Sequence, residues 1–176
     1  MSPAIRRVTP DALSSLVPGL ATLLVDAVGH GGSLGFHQPL DPAEAETYWE
    51  SLRPEIEAGS RVVLVAERDG VVVGSGQLVL PSLPNARHRA ELQKLCVLST
   101  CRGQGIGRGL MDALHAEALR NGRTLVLLNT RRNEPPEAFY RALGYELVGV
   151  VPGYTVEADG TRHDTVILYR ELRSEK

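Results

Sequence analysis

The spacing of apolar and polar residues divides the chain into alternating strands and helices. Ala4–Val8 reads as a short strand, and the apolar run over Ala12–Val28 predicts a helix capped by Asp11 and bent near Pro18-Gly19. Gly29 to Phe36 is glycine-rich and reads as a loop. Asp41-Pro-Ala-Glu44 is a helix start, with an N-cap, proline at N1 and glutamate at N3, and that helix should run to about Ala58 before Gly59 stops it. Arg61–Arg68 and Val71–Leu80 are β-rich runs joined at Asp69-Gly70, a two-residue hairpin signal. Pro81 to Arg87 reads as a loop and His88–Leu98 as a third long strand.

In the second half, Ile106, Leu110, Met111, Leu114 and Leu119 recur at helical spacing over Ile106–Arg120, ended by Asn121-Gly122. Thr124–Thr130 is an apolar strand. Glu134–Leu143 is a short helix opened by Pro135-Pro136 and stopped by Gly144. Tyr145–Val151 and Thr165–Leu172 are two last strands, joined by a hairpin around Ala158-Asp159-Gly160. The pattern is α/β, with an antiparallel first half and a β-α-β-α-β-β second half. At 176 residues it is read as one domain over 1–176.

Charge and cysteine content narrow the function classes. With 19 basic and 21 acidic residues the net charge is −2, which argues against nucleic acid or an anionic membrane as partner. Leu13 to Val28 is interrupted by Pro18, Gly19 and Asp26 and is expected to fall short of a membrane span, and no apolar leader follows the basic pair Arg6-Arg7. Cys96 and Cys101 lack a CxxC spacing and a second pair, so no metal is expected, and free thiols suit the cytoplasm. The five histidines show no metal-binding spacing. His30 and His37 flank the glycine-rich loop, and His115 is expected to be solvated.

The candidate chemistry lies in Glu91-Leu-Gln-Lys-Leu-Cys-Val-Leu-Ser-Thr-Cys-Arg-Gly-Gln-Gly-Ile-Gly-Arg-Gly-Leu110. A strand enters a loop with glycine at 103, 105, 107 and 109, and a helix begins at once. Uncovered amides at the positive end of a helix are an anion site. A Walker A loop requires Gly-Lys-Ser/Thr, and Gly107 is followed by Arg108. A dinucleotide fingerprint fails in both registers, because its last glycine would fall on Arg108 or Leu110.

Arg102-Gly-Gln-Gly-Ile-Gly107, preceded by Lys94-Leu-Cys-Val-Leu98, resembles the pyrophosphate-binding motif of the GNAT superfamily of N-acetyltransferases. Asn133, Tyr140 and Ala142-Leu-Gly-Tyr145-Glu resemble its following helix and turn. Gly31-Gly-Ser-Leu-Gly-Phe36, Ala90-Glu-Leu-Gln-Lys-Leu95 and Pro152-Gly-Tyr154 are similar to the tabtoxin resistance acetyltransferase branch. The resemblance implies a mixed, mostly antiparallel seven-stranded sheet, flanked by about four helices and splayed between the fourth and fifth strands.

It also implies acetyl-CoA as co-substrate. The pantetheine arm would lie on Leu95, Cys96 and Val97, and the pyrophosphate on Arg102, Gly103, Gln104, Gly105, Ile106, Gly107 and Arg108, with Asn133 as a further cofactor-binding residue. Tyr140 resembles the tyrosine that protonates the leaving thiolate, and a phenol with a pKa of ~10 suits that task. Glu91, read in register with Gln93, Leu95 and Val97, is the candidate base, and an ion pair with Arg87, Arg89 or Lys94 is its alternative. A backbone N–H near Val97 is the expected oxyanion donor. Asn129 stands where the branch carries an acidic residue, and an amide orients a substrate but does not take its proton. Phe36, Asn129 and Tyr154 are candidate acceptor contacts.

The function expected is acetyl transfer from acetyl-CoA to a primary amine of a small molecule, an amino-acid-like metabolite or an antibiotic or toxin, by direct attack in a ternary complex. A homodimer is one assembly the resemblance allows. The alternatives are a protein N-terminal or lysine acetyltransferase, and a non-catalytic acyl-CoA-binding sensor.

Overall fold

The computed structural model describes residues 3–32 and 34–173. The expected domain bounds run past these at both ends, and Ser33 of the glycine-rich motif lies outside them. Seven strands form one sheet: β1 (Ala4–Arg7), β2 (Arg61–Arg68), β3 (Val71–Val79), β4 (Arg89–Val97), β5 (Leu125–Arg131), β6 (Glu146–Val156) and β7 (Arg162–Glu171). Their order is β1-β2-β3-β4-β5-β7-β6. Among the described residues β4 and β5 run parallel, and the other pairs are antiparallel.

Helices α1 (Pro10–Gly29), α2 (Pro42–Ser51) and α3 (Arg53–Glu57) cover one face, while α4 (Ile106–Arg120) and α5 (Pro135–Ala142) cover the other. Each face has its own core. Leu13, Leu20, Leu24 and Trp49 meet Val63 and Val65 under α1 and α2, whereas Leu110, Met111 and Leu114 of α4 meet Val62, Leu64 and Leu78. Burying a Leu or Met side chain contributes about 1.5–3 kcal/mol, so the apolar stripe of α4 holds it to the sheet. Glycine allows the close approach: a Cβ at Gly76 would meet Leu114 Cδ1 at 2.7 Å.

Several boundaries differ from those read in the sequence: β6 runs on to Val156 rather than ending at Val151, and β7 begins at Arg162 rather than Thr165, because the two strands pair down to Val156↔Arg162. Thr9, not Asp11, is the N-cap of α1, its hydroxyl accepting the Ala12 N–H at 3.4 Å, and Asp11 falls in the first turn. α1 runs unbroken through Pro18. It is therefore long and apolar enough to cross a membrane by length and composition, against the expectation, although half of its most apolar window is buried against the sheet. The helix expected from Asp41 to Ala58 is divided at Leu52, because Pro54 has no N–H for a further turn and instead opens α3.

Candidate functional site

β4 and β5 pair only over Arg89–Glu91 and Leu125–Leu127. β4 continues to Val97 and β5 to Arg131, so beyond Glu91 the two strands part. The far edge of β4 still pairs with β3, at Ser75↔Cys96 and Gly74↔Val97. Leu98 donates its N–H to Val73 O at 3.0 Å. The alternation of an antiparallel ladder then turns the backbone groups of Cys96 toward β3 and those of Val97 into the opening. An extended ligand can bond to such an exposed strand edge.

A β-bulge divides β4 into two registers. Lys94 and Leu95 together face Gly76, and Lys94 has φ +52. Glu91 and Gln93 therefore lie on the α1 face, whereas Leu95 and Val97 pack with the α4 core. This corrects the expected single register for Glu91, Gln93, Leu95 and Val97. The extra residue flips the strand by one position. Cys96 is buried on the α1 face, and burial pushes its thiol pKa up to about 12. Of the three residues expected along the pantetheine arm, Cys96 offers the opening neither its thiol nor its backbone.

Beyond Val97 a short 3₁₀ turn, Ser99–Cys101, leads into the glycine loop. Gly103 and Gly105 have φ +75 and +80, and a Cβ at either would meet nothing within 4 Å. Gly105 caps α4 with no side-chain hydrogen bond, which leaves the first amides of the helix without a capping acceptor. Gln104 is tied to Arg68 at 2.8 Å, and Arg102 Nε donates to Val97 O at 3.3 Å. Arg108 is exposed on the first turn.

The same face carries α5. A Cβ at Gly107 would lie 3.5 Å from Phe139 Cζ and 3.8 Å from Val97 Cγ2, so the end of β4, the start of α4 and α5 converge there. Tyr140 is buried beside Phe139, with its ring 5.8 Å from that of Tyr145. Burial raises its phenol pKa above the ordinary 10.0. Asn133 precedes α5 at φ +60, and its N–H donates to Glu137 Oε2 at 2.8 Å, the main cause of that carboxyl's lowered pKa. His115, expected to be solvated, is buried on α4. It lies 2.8 Å from Tyr145 Oη and 3.5 Å from Arg170, and burial brings its pKa down to about 4.

The opposite face holds the remaining candidates. Glu91 sits where the β4–β5 pairing ends and accepts from Arg89 at 3.0 Å, so one of its expected ion pairs is present. Val126 and Leu128 point into the α4 core, so alternation along β5 puts Asn129 and Arg131 on the face of Glu91. A cavity of about 370 Å³ opens here between the glycine-rich loop and the β6–β7 hairpin. Gly31, Phe36 and Gln38 line one wall, and Arg131, Glu157 and His163 line the other. Arg131 is ion-paired with Glu157, and His163 Nε2 lies 3.7 Å from the same carboxylate. Among the acceptor candidates Phe36 lines this cavity, whereas Asn129 and Tyr154 do not, and the candidate base Glu91 does not line it either. Tyr154 is exposed on the edge strand.

Two working residues were not singled out from the sequence. Asp26 of α1 holds Ser99 at the end of β4, and its sequence signal is a carboxylate interrupting the apolar run Leu13–Val28. Arg131 ends a strand whose pattern gave no hint of a cavity.

The family profile described as an acetyltransferase (GNAT) domain matches residues 59–147, a span that includes β4, the glycine loop, α4 and α5. The chain belongs to this family. It is 32% identical over 111 residues to an uncharacterized N-acetyltransferase from the hisH–hisA intergenic region of Azospirillum brasilense, across 62% of this chain and 64% of that protein. A ribosomal-protein-alanine N-acetyltransferase from Brucella melitensis superposes with a TM-score of 0.73 at 26% identity, covering 96% and 99% of the two chains. A candidate acetyltransferase from Salmonella typhimurium, solved with its cofactor acetyl-CoA, superposes with a TM-score of 0.76 at 21% identity over 100% and 97%. The tabtoxin resistance branch is not among these relatives, and the superfamily is the level at which the resemblance holds.

Proposed function

We propose that this chain transfers an acetyl group from acetyl-CoA to a primary amine of a small molecule, with both bound at once. The observation that carries the reading is the β4–β5 pairing that stops at Glu91 and Leu127, next to an α4 N-terminus that no side chain caps. The residues present fit the donor. Val97 offers strand-like backbone groups, Gly103 to Arg108 offer amides to a diphosphate, and Arg102 and Arg108 add positive charge. Acetyl-CoA supplies an activated acyl carbon and a thiolate leaving group.

The remaining steps belong to the protein. Glu91, on the acceptor face, takes the proton of the attacking amine directly or through water. Asn129 orients the amine or that water. The Val97 N–H stabilises negative charge on the acyl oxygen. Tyr140, on the donor face, acts at the leaving sulfur. Its raised pKa makes full proton transfer to a thiolate (pKa ~8.5) uphill, so it works chiefly as a hydrogen-bond donor. Free cysteines and an acetyl-CoA donor suit the cytoplasm.

The cavity of about 370 Å³ supports a small acceptor, since it lies within the size range of small-ligand pockets. A protein N-terminus is the second reading, favoured by the likeness to the Brucella melitensis enzyme. Thiol release from acetyl-CoA across antibiotics, amino acids, polyamines and peptides separates the two. Release with small amines supports the proposal, release with peptides alone supports the second reading, and binding of acetyl-CoA without release to any amine defeats both.

A further inference from the structure

Lys94 sits in the β4 bulge at φ +52, a conformation that a residue other than glycine adopts only where its surroundings hold it. The bulge keeps its side chain on the acceptor face, where regular alternation after Gln93 would have sent it to the α4 side. The half-buried ammonium donates to the Leu34 carbonyl. It lies 5.2 Å from the centroid of the Phe36 ring and 5.5 Å from that of Tyr48. Among the described residues no carboxylate lies within ion-pair distance of it.

Leu34 and Phe36 belong to the glycine-rich loop between α1 and α2. The other hydrogen bonds described for this loop are local: Gly32 N–H to Ala27 O at 2.9 Å, Leu34 N–H to Gly32 O at 3.0 Å, and Gln38 to the Val28 carbonyl. Among the described residues, Lys94 thus provides the hydrogen-bonding link from the sheet to the middle of the loop. Gly35 permits the approach, since a Cβ there would lie 3.2 Å from Lys94 Nζ. Lys94, Phe36 and Tyr48 form a mutual cluster, with the Tyr48 ring edge-on to Phe36 at 5.3 Å, and Phe36 also lines the acceptor cavity.

We propose that Lys94 is a positioning residue for the acceptor, pinning Leu34 and Phe36 to the β4 bulge and so fixing the aromatic wall of the cavity against the donor strand. Its kinetic consequence rests on the acetyl-transfer reading, and its structural consequence does not. Charge and reach both matter, because a neutral chain of equal length loses the carbonyl bond and the attraction to two rings.

The test compares wild type, Lys94→Met and Lys94→Arg by hydrogen exchange, acetyl-CoA titration and thiol release, with spermidine, kanamycin and glycinamide as the amines. In Lys94→Met the amides of Leu34–Phe36 should exchange about tenfold faster, while those of β2 stay unchanged. Acetyl-CoA affinity should stay within about twofold, and KM for the reactive amine should rise about tenfold with kcat within about threefold. Lys94→Arg should restore loop protection and KM. Unchanged loop exchange in Lys94→Met overturns the proposal, as does an equal loss of acetyl-CoA affinity and kcat, which would assign Lys94 to the donor. If wild type releases thiol with none of the three amines, acetyl transfer to those amines fails while the exchange result still decides the pin. Should Lys94→Met lose protection throughout the sheet, Phe36→Leu carries the test and must reproduce the rise in KM.

Discussion

Asp26 Oδ2 accepts the Ser99 amide at 2.7 Å, and its Oδ1 accepts the Ser99 hydroxyl at 2.7 Å. One carboxylate near the end of α1 thus fixes the corner where β4 becomes the glycine loop. The direction in which the loop amides point depends on that corner.

Asp26→Ala removes two hydrogen bonds to a charged acceptor and leaves the partly buried Ser99 groups without it, a loss of about 2 kcal/mol. The melting temperature should fall by roughly 4–8 °C for a chain of this size. Calorimetry should also show acetyl-CoA affinity weakened about tenfold, because the loop loses its support. Unchanged affinity would separate the corner from the donor site.

Burial lowers the pKa of His115 to about 4, with the Arg170 charge second, against ~6.5 for an unfolded histidine. Between these values the unfolded chain binds a proton that the folded one refuses. The contribution is fully present above about pH 6.5 and is lost progressively as the pH falls toward 4. Thermal melts across that window should show this decline, and His115→Gln, which can still bond Tyr145, should flatten it.

Much of the frame was legible because its signals are local. β2 spans Arg61–Arg68 and α4 spans Ile106–Arg120, as their periodicity and end signals predicted, and Asp69-Gly70 forms the turn with both residues at positive φ. What escaped depends on distant partners. The Lys94 bulge is a property of the β3–β4 pair, and no residue of β4 alone announces it. His115 appears polar on its helix, and only Tyr145 and Arg170 across the core make its burial tolerable. The cavity joins three segments far apart in the chain, around Phe36, Arg131 and Glu157.

Tyr140→Phe should lower turnover about 10²–10³-fold, with acetyl-CoA affinity within about twofold, since only the hydroxyl is removed. Burial holds this phenol above 10.0. In wild type the rate should therefore show no alkaline fall from Tyr140 below about pH 9. Steady-state kinetics at several pH values check both expectations, and unchanged turnover in the variant would remove Tyr140 from the mechanism.

Glu91→Gln should lower kcat about 10²-fold near neutral pH, because an amide accepts no proton. Asn129 lies on the same face of the sheet, so Asn129→Asp in the Glu91→Gln background supplies a replacement carboxylate. Partial recovery of the rate is expected. A Glu91→Gln enzyme as fast as wild type would leave Glu91 as the ion-pair partner of Arg89 alone.

The gap between β4 and β5, together with the uncapped start of α4, is the proposed seat of acetyl-CoA. An amide-resolved NMR titration with acetyl-CoA tests it most directly. The expected result is that the amides of Val97 and of Gly103 through Arg108 shift and become protected, while those of the β6–β7 hairpin do not. Saturable binding that leaves the Gly103–Arg108 amides unmoved would contradict the account.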